Sequence, residues 1–343
     1  MTDLKDVKIL FFGSGDFPVR TFERLISSGF NIVGLVTSRD KVFFESKRLA
    51  EIAAEHEIPT VIPKNLDDTE FLSWLDEHPA DIFCVISYKF LSADILSRAK
   101  RLAFNIHASL LPFLRGASPI SWAIFNEFTE TGLTAFILSD KIDAGDILDN
   151  VKTTVDEKET YGTLYEKLAS LSPEFTEKVI RGIMSGEYQH PIAQSDPQDM
   201  KMSKALFVAP KITTAYTTMP PETVSIEILE KTIRSISPKR GLTLPVNVYG
   251  LNENADKVIM RTLTLIVYEA EILPFEHEPL TAELKHLKTD YKTYMCFYTN
   301  KFEQKALFIK KAQIAGKNIL PIEELLRGLQ YLRDIPMADM IIE

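Results

Sequence analysis

Residues 7–15 read VKILFFGSG, a mostly apolar run that ends in a turn rich in glycine. A run of this length and apolarity is typical of a buried strand, and glycine gives the turn its backbone freedom. An amphipathic pattern through Arg24, Leu25 and Ile26 follows, which predicts a helix. The chain therefore begins with the strand, turn and helix that are repeated in open α/β sheets.

The same alternation of strand-like and helix-like patterns continues through the first 155 residues. Further strands are predicted at residues 31–37, 60–62, 81–87, 102–107 and 134–138, with helices near 46–56, 68–77 and 118–126. We therefore predict an α/β fold, a Rossmann-like and mostly parallel sheet with helices on both faces. A helical pattern from Thr160 follows, and Ser172 and Pro173 are typical of an N-cap and a first turn, which predicts that the helix restarts there.

The periodicity lapses between His190 and Pro221, where five prolines punctuate a polar stretch. Such a stretch is typical of a linker. We predict a first domain over residues 1–204, with the linker from about 190, and a smaller second domain over residues 205–343. In the second domain short strands follow one another without helices between them, which predicts a small β-barrel. These strands are expected at 244–249, 257–268, 294–299 and 305–312, with helices at 223–235 and 322–333.

The chain has 343 residues, 45% of them apolar and 25% charged, which is the composition of an ordinary globular protein. No stretch reaches the ~18 uninterrupted apolar residues that a membrane span needs, so we expect no membrane contact. The charged N-terminus leads into the first strand without the features of a leader peptide, and we expect a cytoplasmic protein. Cys84 and Cys296 lie in apolar runs that favour buried thiols, and the spacing of the histidines builds no metal site, so we expect no metal.

Charge is distributed unevenly along the chain. Residues 1–200 carry 20 Lys and Arg against 31 Asp and Glu, whereas residues 201–343 carry 19 against 17. An acidic first domain does not attract a polyanion, but the nearly neutral second part has local basic clusters that suit phosphates. These clusters, Lys239-Arg240, Lys310-Lys311 and Lys317, permit contact with nucleic acid without requiring it.

Two polar residues close the strand predicted at 102–107. Asn105 and His107 project to one face, because side chains alternate along a strand. In an open parallel sheet, ligands bind in the crevice beyond the carboxyl ends of the strands. The apolar loop that follows is suited to walling a flat ligand, and Asp143, in a later polar loop, is placed to reach the imidazole of His107. The sequence therefore predicts that an amide, an imidazole and a carboxylate converge.

These three groups suit acyl transfer to an amine. An amide N–H stabilises a developing oxyanion, an imidazole either helps a proton move or holds the oxyanion, and a carboxylate orients the imidazole. A lone histidine at the end of a strand is more often structural than catalytic, so the residues alone leave both interpretations open.

Four strings along the chain resemble the core motifs of the folate-dependent formyltransferases: Asn105-Ile-His107-Ala-Ser109-Leu-Leu-Pro112, Arg115-Gly-Ala-Ser-Pro119, Glu130-Thr-Gly132 and Asp143-Ala-Gly145. Within this superfamily the chain is most similar to the methionyl-tRNA formyltransferases. That similarity lies in Phe12-Gly-Ser-Gly-Asp-Phe17 near the start and in Lys311-Ala-Gln-Ile-Ala-Gly-Lys317 near the end. The resemblance spans nearly the whole chain and is strongest over residues 100–150.

The resemblance implies that a formyl group moves from 10-formyltetrahydrofolate to the α-amine of methionyl initiator tRNA. It assigns Asn105, His107 and Asp143 to the catalytic positions of the family. Ser109, Leu110, Leu111 and Pro112 match the folate-binding signature. The second domain resembles the oligonucleotide-binding (OB-like) barrel that meets the tRNA, and a monomer is expected.

Two features depart from the members of the family that act on tRNA. The loop at 39–48 is short and lacks glycine, and the tryptophan-containing segment that often follows a match such as Ala209-Pro-Lys-Ile-Thr213 is absent. The leading alternative is therefore an N-formyltransferase of a nucleotide-linked amino sugar. A more distant alternative is an NAD(P)-dependent oxidoreductase, because Gly13 and Gly15 match part of the dinucleotide fingerprint, although Pro18 occupies the position of the third glycine.

Overall fold

A computed structural model describes residues 4–38, 45–195, 206–218, 225–251, 257–275, 285–298, 304–330, 332 and 339–342. The chain divides into two compact units, residues 1–157 with 163–211 and residues 158–162 with 212–343. The domain boundary expected near residue 205 falls within 196–205, outside the described residues.

The first unit is built on one seven-stranded sheet. Its strands are β1 (Lys8–Gly13), β2 (Asn31–Val36), β3 (Thr60–Val61), β4 (Ile82–Ile86), β5 (Leu102–His107), β6 (Glu130–Ile137) and β7 (Ile147–Thr154). They are ordered β3-β2-β1-β4-β5-β6-β7. The first five strands are parallel, whereas β6 runs antiparallel to β5 and β7 antiparallel to β6. The predicted mostly parallel, Rossmann-like sheet is confirmed.

Helices cover both faces of this sheet. They are α1 (Val19–Ser27), α2 (Glu45–Glu55), α3 (Thr69–Glu77), α4 (Ala93–Leu96), α5 (Pro119–Phe125) and α6 (Tyr161–Ser185). Phe11 and Phe12 are adjacent on β1 and so point to opposite faces. The ring of Phe11 lies 4.9 Å from that of Phe22 on α1, while Phe12 belongs to a core cluster with Phe71 of α3.

The predicted restart of the helix at Ser172 and Pro173 is wrong. Pro173 lies inside α6, which continues to Ser185. Proline in a helix interior costs about 3 kcal/mol, but Leu168 and Phe175 on either side of it are buried. Burying a large apolar side chain contributes roughly 1.5–3 kcal/mol, so tertiary packing carries the helix through the proline.

Glu177 of α6 fastens this helix to α1. Its Oε2 accepts hydrogen bonds from Arg24 Nε at 2.7 Å and Ser28 Oγ at 3.0 Å, and its Oε1 accepts one from Arg181 Nη2 at 2.7 Å. Burial disfavours the carboxylate, but these hydrogen bonds outweigh it and hold the pKa of Glu177 below its ordinary value.

The second unit is a β-barrel with three helices described. Its elements are α7 (Thr214–Thr217), α8 (Ile226–Ile236), β8 (Leu242–Leu251), β9 (Lys257–Pro274), β10 (Lys285–Thr289), β11 (Met295–Tyr298), β12 (Lys305–Ile314), β13 (Leu320–Pro321), α9 (Ile322–Gly328) and β14 (Asp339–Ile342). Its strands are ordered β11-β10-β14-β8-β9-β12-β13, and β11 also pairs with β12, which closes the ring. All these pairings are antiparallel. The predicted small OB-like barrel is confirmed.

Candidate active site

The site begins at the end of β5. Its two last residues, Ile106 and His107, are buried, and Asn105 is half-buried. Asn105 lies opposite Phe136 of β6 and His107 lies opposite Thr134. Alternation along the strand therefore places Asn105 and His107 on one face of the sheet, as predicted.

The imidazole of His107 is fixed at one of its two nitrogens. Nε2 lies 2.9 Å from the carbonyl oxygen of Leu114. Because a carbonyl only accepts hydrogen bonds, Nε2 must carry the hydrogen. Nδ1 is therefore the nitrogen that remains for chemistry, and it lies 3.7 Å from Oδ2 of Asp143.

Asp143 reaches this position from the loop between β6 and β7. Its Oδ2 also accepts the backbone N–H of Gly116 at 2.8 Å, so one carboxylate oxygen lies against both the loop that follows β5 and the imidazole. Asp143 has a φ of 49°, in the left-handed region that aspartate tolerates better than most residues. A Cβ placed on Gly145 would lie 1.7 Å from the carbonyl oxygen of Ile137, so the loop closes this tightly only with glycine.

Thr134 holds the loop that follows His107. Its Oγ1 donates to the carbonyl of Ser109 at 2.7 Å and accepts the N–H of Leu111 at 3.1 Å. Ser109 in turn donates from Oγ to the carbonyl of Phe113 at 2.7 Å. Ser109 and Thr134 are both buried. The hydroxyl of Ser109 is thus used inside the loop, which it shapes.

Leu110 and Leu111 line a cavity of about 340 Å³. The other lining residues are Phe113, Leu114, Phe128, Glu130, Thr131, Thr134, Asn150 and Lys152. Asn105, His107 and Asp143 do not line it. The structure therefore brings His107 and Asp143 together and keeps Asn105 on the same face of the sheet. Of the four residues expected to bind folate, Leu110 and Leu111 line the neighbouring cavity. Pro112 is half-buried beside them.

Two side chains that support the site were not singled out from the sequence. Thr134 is one, and the signal for it is a polar residue at a buried position of an apolar strand. Gln194 is the other, and its amide contacts Arg115 and the loop of Asp143. Nothing in the local sequence around Gln194 indicates this, because its partners are 51 and 79 residues away.

Further reactive groups near the sheet are the thiol of Cys84 and the hydroxyl of Tyr88. Burial raises the pKa of the Cys84 thiol on β4 and of the Tyr88 hydroxyl that follows it, so both stay protonated at neutral pH. Over the ranges that the structure describes, no three His, Cys, Asp or Glu side chains are grouped as metal ligands. Within the same ranges, no helix is long and apolar enough to cross a membrane.

The family described as formyl transferase matches residues 7–180, half of the chain, including β5, its loop and Asp143. The chain belongs to the formyl transferase family.

The similarity of this formyl transferase to known members extends through both units. A protein named methionyl-tRNA formyltransferase from Azobacteroides pseudotrichonymphae is 30% identical over 332 residues, which cover 95% of this chain and 97% of that protein. One of the same name from Bacteroides fragilis is 29% identical over 341 residues, 97% of this chain and 98% of that protein. Among solved structures, a sugar 3N-formyl transferase in the presence of dTDP and 5-N-formyl-THF has a TM-score of 0.60 at 18% identity, over 91% of this chain and 99% of that one. At 18% identity, the similarity to this solved structure shows a shared fold alone.

The loop at 39–48 is only partly described in this formyl transferase, since residues 39–44 lie outside the described ranges. Its two last basic residues belong to α2. Lys47 forms an ion pair with Glu51 at 2.9 Å, and Arg48 contacts Glu23 at 3.1 Å and Glu55 at 3.4 Å.

Proposed function

We propose that this protein transfers the formyl group of 10-formyltetrahydrofolate to the α-amine of methionyl initiator tRNA, a step of translation initiation. The observation that carries the proposal is the similarity to proteins named methionyl-tRNA formyltransferase, which covers 95% or more of the chain and so includes the barrel. A similarity confined to the first unit would support formyl transfer without naming the acceptor.

In this proposal the three site residues divide the reaction between them. The neutral amine attacks the formyl carbon, a C–N bond forms, and the bond from that carbon to N10 of the folate breaks. The amide of Asn105 donates to the oxygen that becomes negative. Nδ1 of His107 takes the proton that the amine loses, since Nε2 is held by Leu114, and returns it to N10 of the folate as the bond from the formyl carbon to N10 breaks. The carboxylate of Asp143 stabilises the imidazolium that exists between these two proton transfers.

The proposed donor is a folate, and the loop of residues 109–112 supports its binding. Leu110 and Leu111 supply apolar surface, which suits a pteridine or its aromatic extension. Ser109 would act through the shape of the loop, because its hydroxyl is bonded to Phe113. No step of the proposed reaction is assigned to a metal.

The barrel is proposed to contact the tRNA. Lys311 and Lys317 are exposed, and within the described residues neither forms an ion pair. By contrast, Lys310 forms an ion pair, with its Nζ 3.5 Å from Oε2 of Glu271. The ammonium group of Lys239 lies over the ring of Tyr161. Unpaired surface lysines are the groups that replace counterions along a phosphate backbone. A monomer and a cytoplasmic location stay predictions.

A second candidate acceptor is a nucleotide-linked amino sugar. The short loop at 39–48 favours it. The deciding experiment incubates the protein and 10-formyltetrahydrofolate with either charged initiator tRNA or a dTDP-linked amino sugar and follows product formation. We expect formylmethionyl-tRNA with the first acceptor, and formylation of the sugar alone would overturn the proposal.

A further inference from the structure

Gln194 lies on a segment that returns along the first unit after α6. Ile192, two residues earlier, exchanges backbone hydrogen bonds with Ile147 of β7, at 2.7 and 2.8 Å. This anchoring sets the backbone of Gln194 beside the loop that carries Asp143.

The amide of Gln194 is bonded at both ends. Its Oε1 accepts from Arg115, from Nε at 3.0 Å and Nη2 at 2.6 Å. Its Nε2 donates to the carbonyl of Asp143 at 3.1 Å and to that of Gly145 at 2.7 Å. A guanidinium only donates and a carbonyl only accepts, so the partners themselves fix which end of the amide is oxygen.

Together these hydrogen bonds hold both the side chain and the main chain of Asp143. Gly116, next to Arg115, donates its N–H to the Asp143 carboxylate, so the side chain is held from one loop. Gln194 holds the main chain of Asp143 and, through Arg115, the loop that supplies Gly116. The left-handed backbone of Asp143, with a φ of 49°, is a conformation that its surroundings help to hold.

We propose that Gln194 is a positioning residue that sets the separation of the Asp143 carboxylate and the His107 imidazole. It touches neither reacting group, and it acts by fixing both loops at once. The measurement of turnover below rests on the proposed function. A misplacement of about 1 Å costs a reaction on the order of 10²-fold, so a residue with this role has a measurable effect.

Two substitutions of Gln194 remove different sets of its hydrogen bonds. Gln194→Leu keeps the size and removes all four hydrogen bonds. Gln194→Glu keeps the acceptor for Arg115 but turns a carboxylate oxygen toward the carbonyls of Asp143 and Gly145. It therefore removes only the two hydrogen bonds to the Asp143 loop. Gln189→Leu is the matched control, because Gln189 is exposed and five residues earlier in the chain.

The first test measures kcat and KM with 10-formyltetrahydrofolate and methionyl initiator tRNA. We expect both Gln194 variants to lose about 10- to 100-fold in kcat with little change in KM for the tRNA, and Gln189→Leu to match the unmodified protein. In an Asp143→Asn background, Gln194→Leu should add no further loss, because the carboxylate it positions is already gone. Losses that multiply would overturn the proposal, since they indicate independent effects.

The second test does not need turnover. In protein labelled with ¹⁵N-histidine, the His107 ring signals, assigned by their loss in His107→Ala, should move in Gln194→Leu, Gln194→Glu and Asp143→Asn but not in Gln189→Leu. Unmoved signals in folded Gln194 variants would overturn the inference. Should the unmodified protein fail to formylate methionyl-tRNA, the proposed function falls, while the ring signals still decide the role of Gln194.

Discussion

Nε2 of His107 donates a 2.9 Å hydrogen bond to the carbonyl oxygen of Leu114, seven residues later in the chain. One nitrogen of the ring is thereby used to fasten the loop, and the other faces Asp143. The structural contact at Nε2 and the proton transfer proposed for Nδ1 therefore belong to different atoms of the ring, and substitutions can separate the two.

Replacing His107 by glutamine tests this division. The Gln amide reaches the place of Nε2 and can still donate to Leu114, but it leaves nothing at Nδ1. We expect His107→Gln to keep most of the stability and to lose about 10²- to 10⁴-fold in kcat. His107→Ala should lose both. Urea unfolding and formylation assays check the pair, and turnover by His107→Gln at the normal rate would refute the assignment of Nδ1.

Asp143→Asn keeps the acceptor for Gly116 and removes the negative charge beside Nδ1. We expect kcat to fall by about 10²-fold or more, because the imidazolium loses its counter-charge. Asp140→Asn, an exposed residue of the same loop, is the control and should behave as the unmodified protein. Equal rates for the two variants would remove Asp143 from the mechanism.

Thr134 should matter through its hydroxyl rather than its size. Thr134→Val leaves the N–H of Leu111 and the carbonyl of Ser109 without this partner, which costs on the order of 1–3 kcal/mol of unfolding free energy. Thr134→Ser retains the hydroxyl and should be milder. We expect Thr134→Val also to raise KM for the folate donor, and an unchanged KM would show that the loop holds its shape without Thr134.

The lowered pKa of Glu177 predicts that the contact between α1 and α6 weakens in acid. Its pKa is depressed in the folded chain, so it contributes stability above its unfolded pKa of about 4.3 and loses that contribution as pH falls through the lower folded value. Glu177→Gln should lower the urea midpoint at pH 7, and the difference should shrink toward pH 3. Glu70→Gln, at an exposed position of α3, is the control. A pH-independent difference would exclude ionisation as the cause.

Lys311 and Lys317 predict a salt-dependent contact with tRNA. Lys311→Glu with Lys317→Glu should weaken binding of initiator tRNA and lower the slope of log K against log salt by about 2. The same charge change at Lys64 and Lys100, exposed in the first unit, provides the control. Filter binding at several salt concentrations measures both, and an unchanged slope would place the tRNA elsewhere.

Much of the fold follows from local patterns. The buried strands β1 and β4 are almost continuously apolar, and their order with the helices between them predicts the parallel sheet. The strands β7 and β10 are not predicted, because polar residues occupy most of their positions. In β10, Leu287 is the single apolar residue of Lys285–Thr289, and it is buried in the barrel.

The candidate site likewise has parts that sequence patterns predict and parts that they do not. Strand alternation predicts the shared face of Asn105 and His107, and loops at one sheet edge predict the approach of Asp143. The hydrogen bonds of Thr134 and Gln194 are side-chain contacts across long sequence separations, and no periodicity encodes them. Sequence patterns thus single out the candidate reactive groups, whereas the groups that hold them in place require coordinates.

The strand β14 sits between β8 and β10 and pairs with both. It is also the latest strand in chain order among those described, so a ribosome releases it after its two neighbours. Until then the ring is open and two strands present unpaired edges, which can recruit other chains. Shortening the chain before Asp339 should therefore produce oligomers and inclusion bodies rather than a smaller folded barrel.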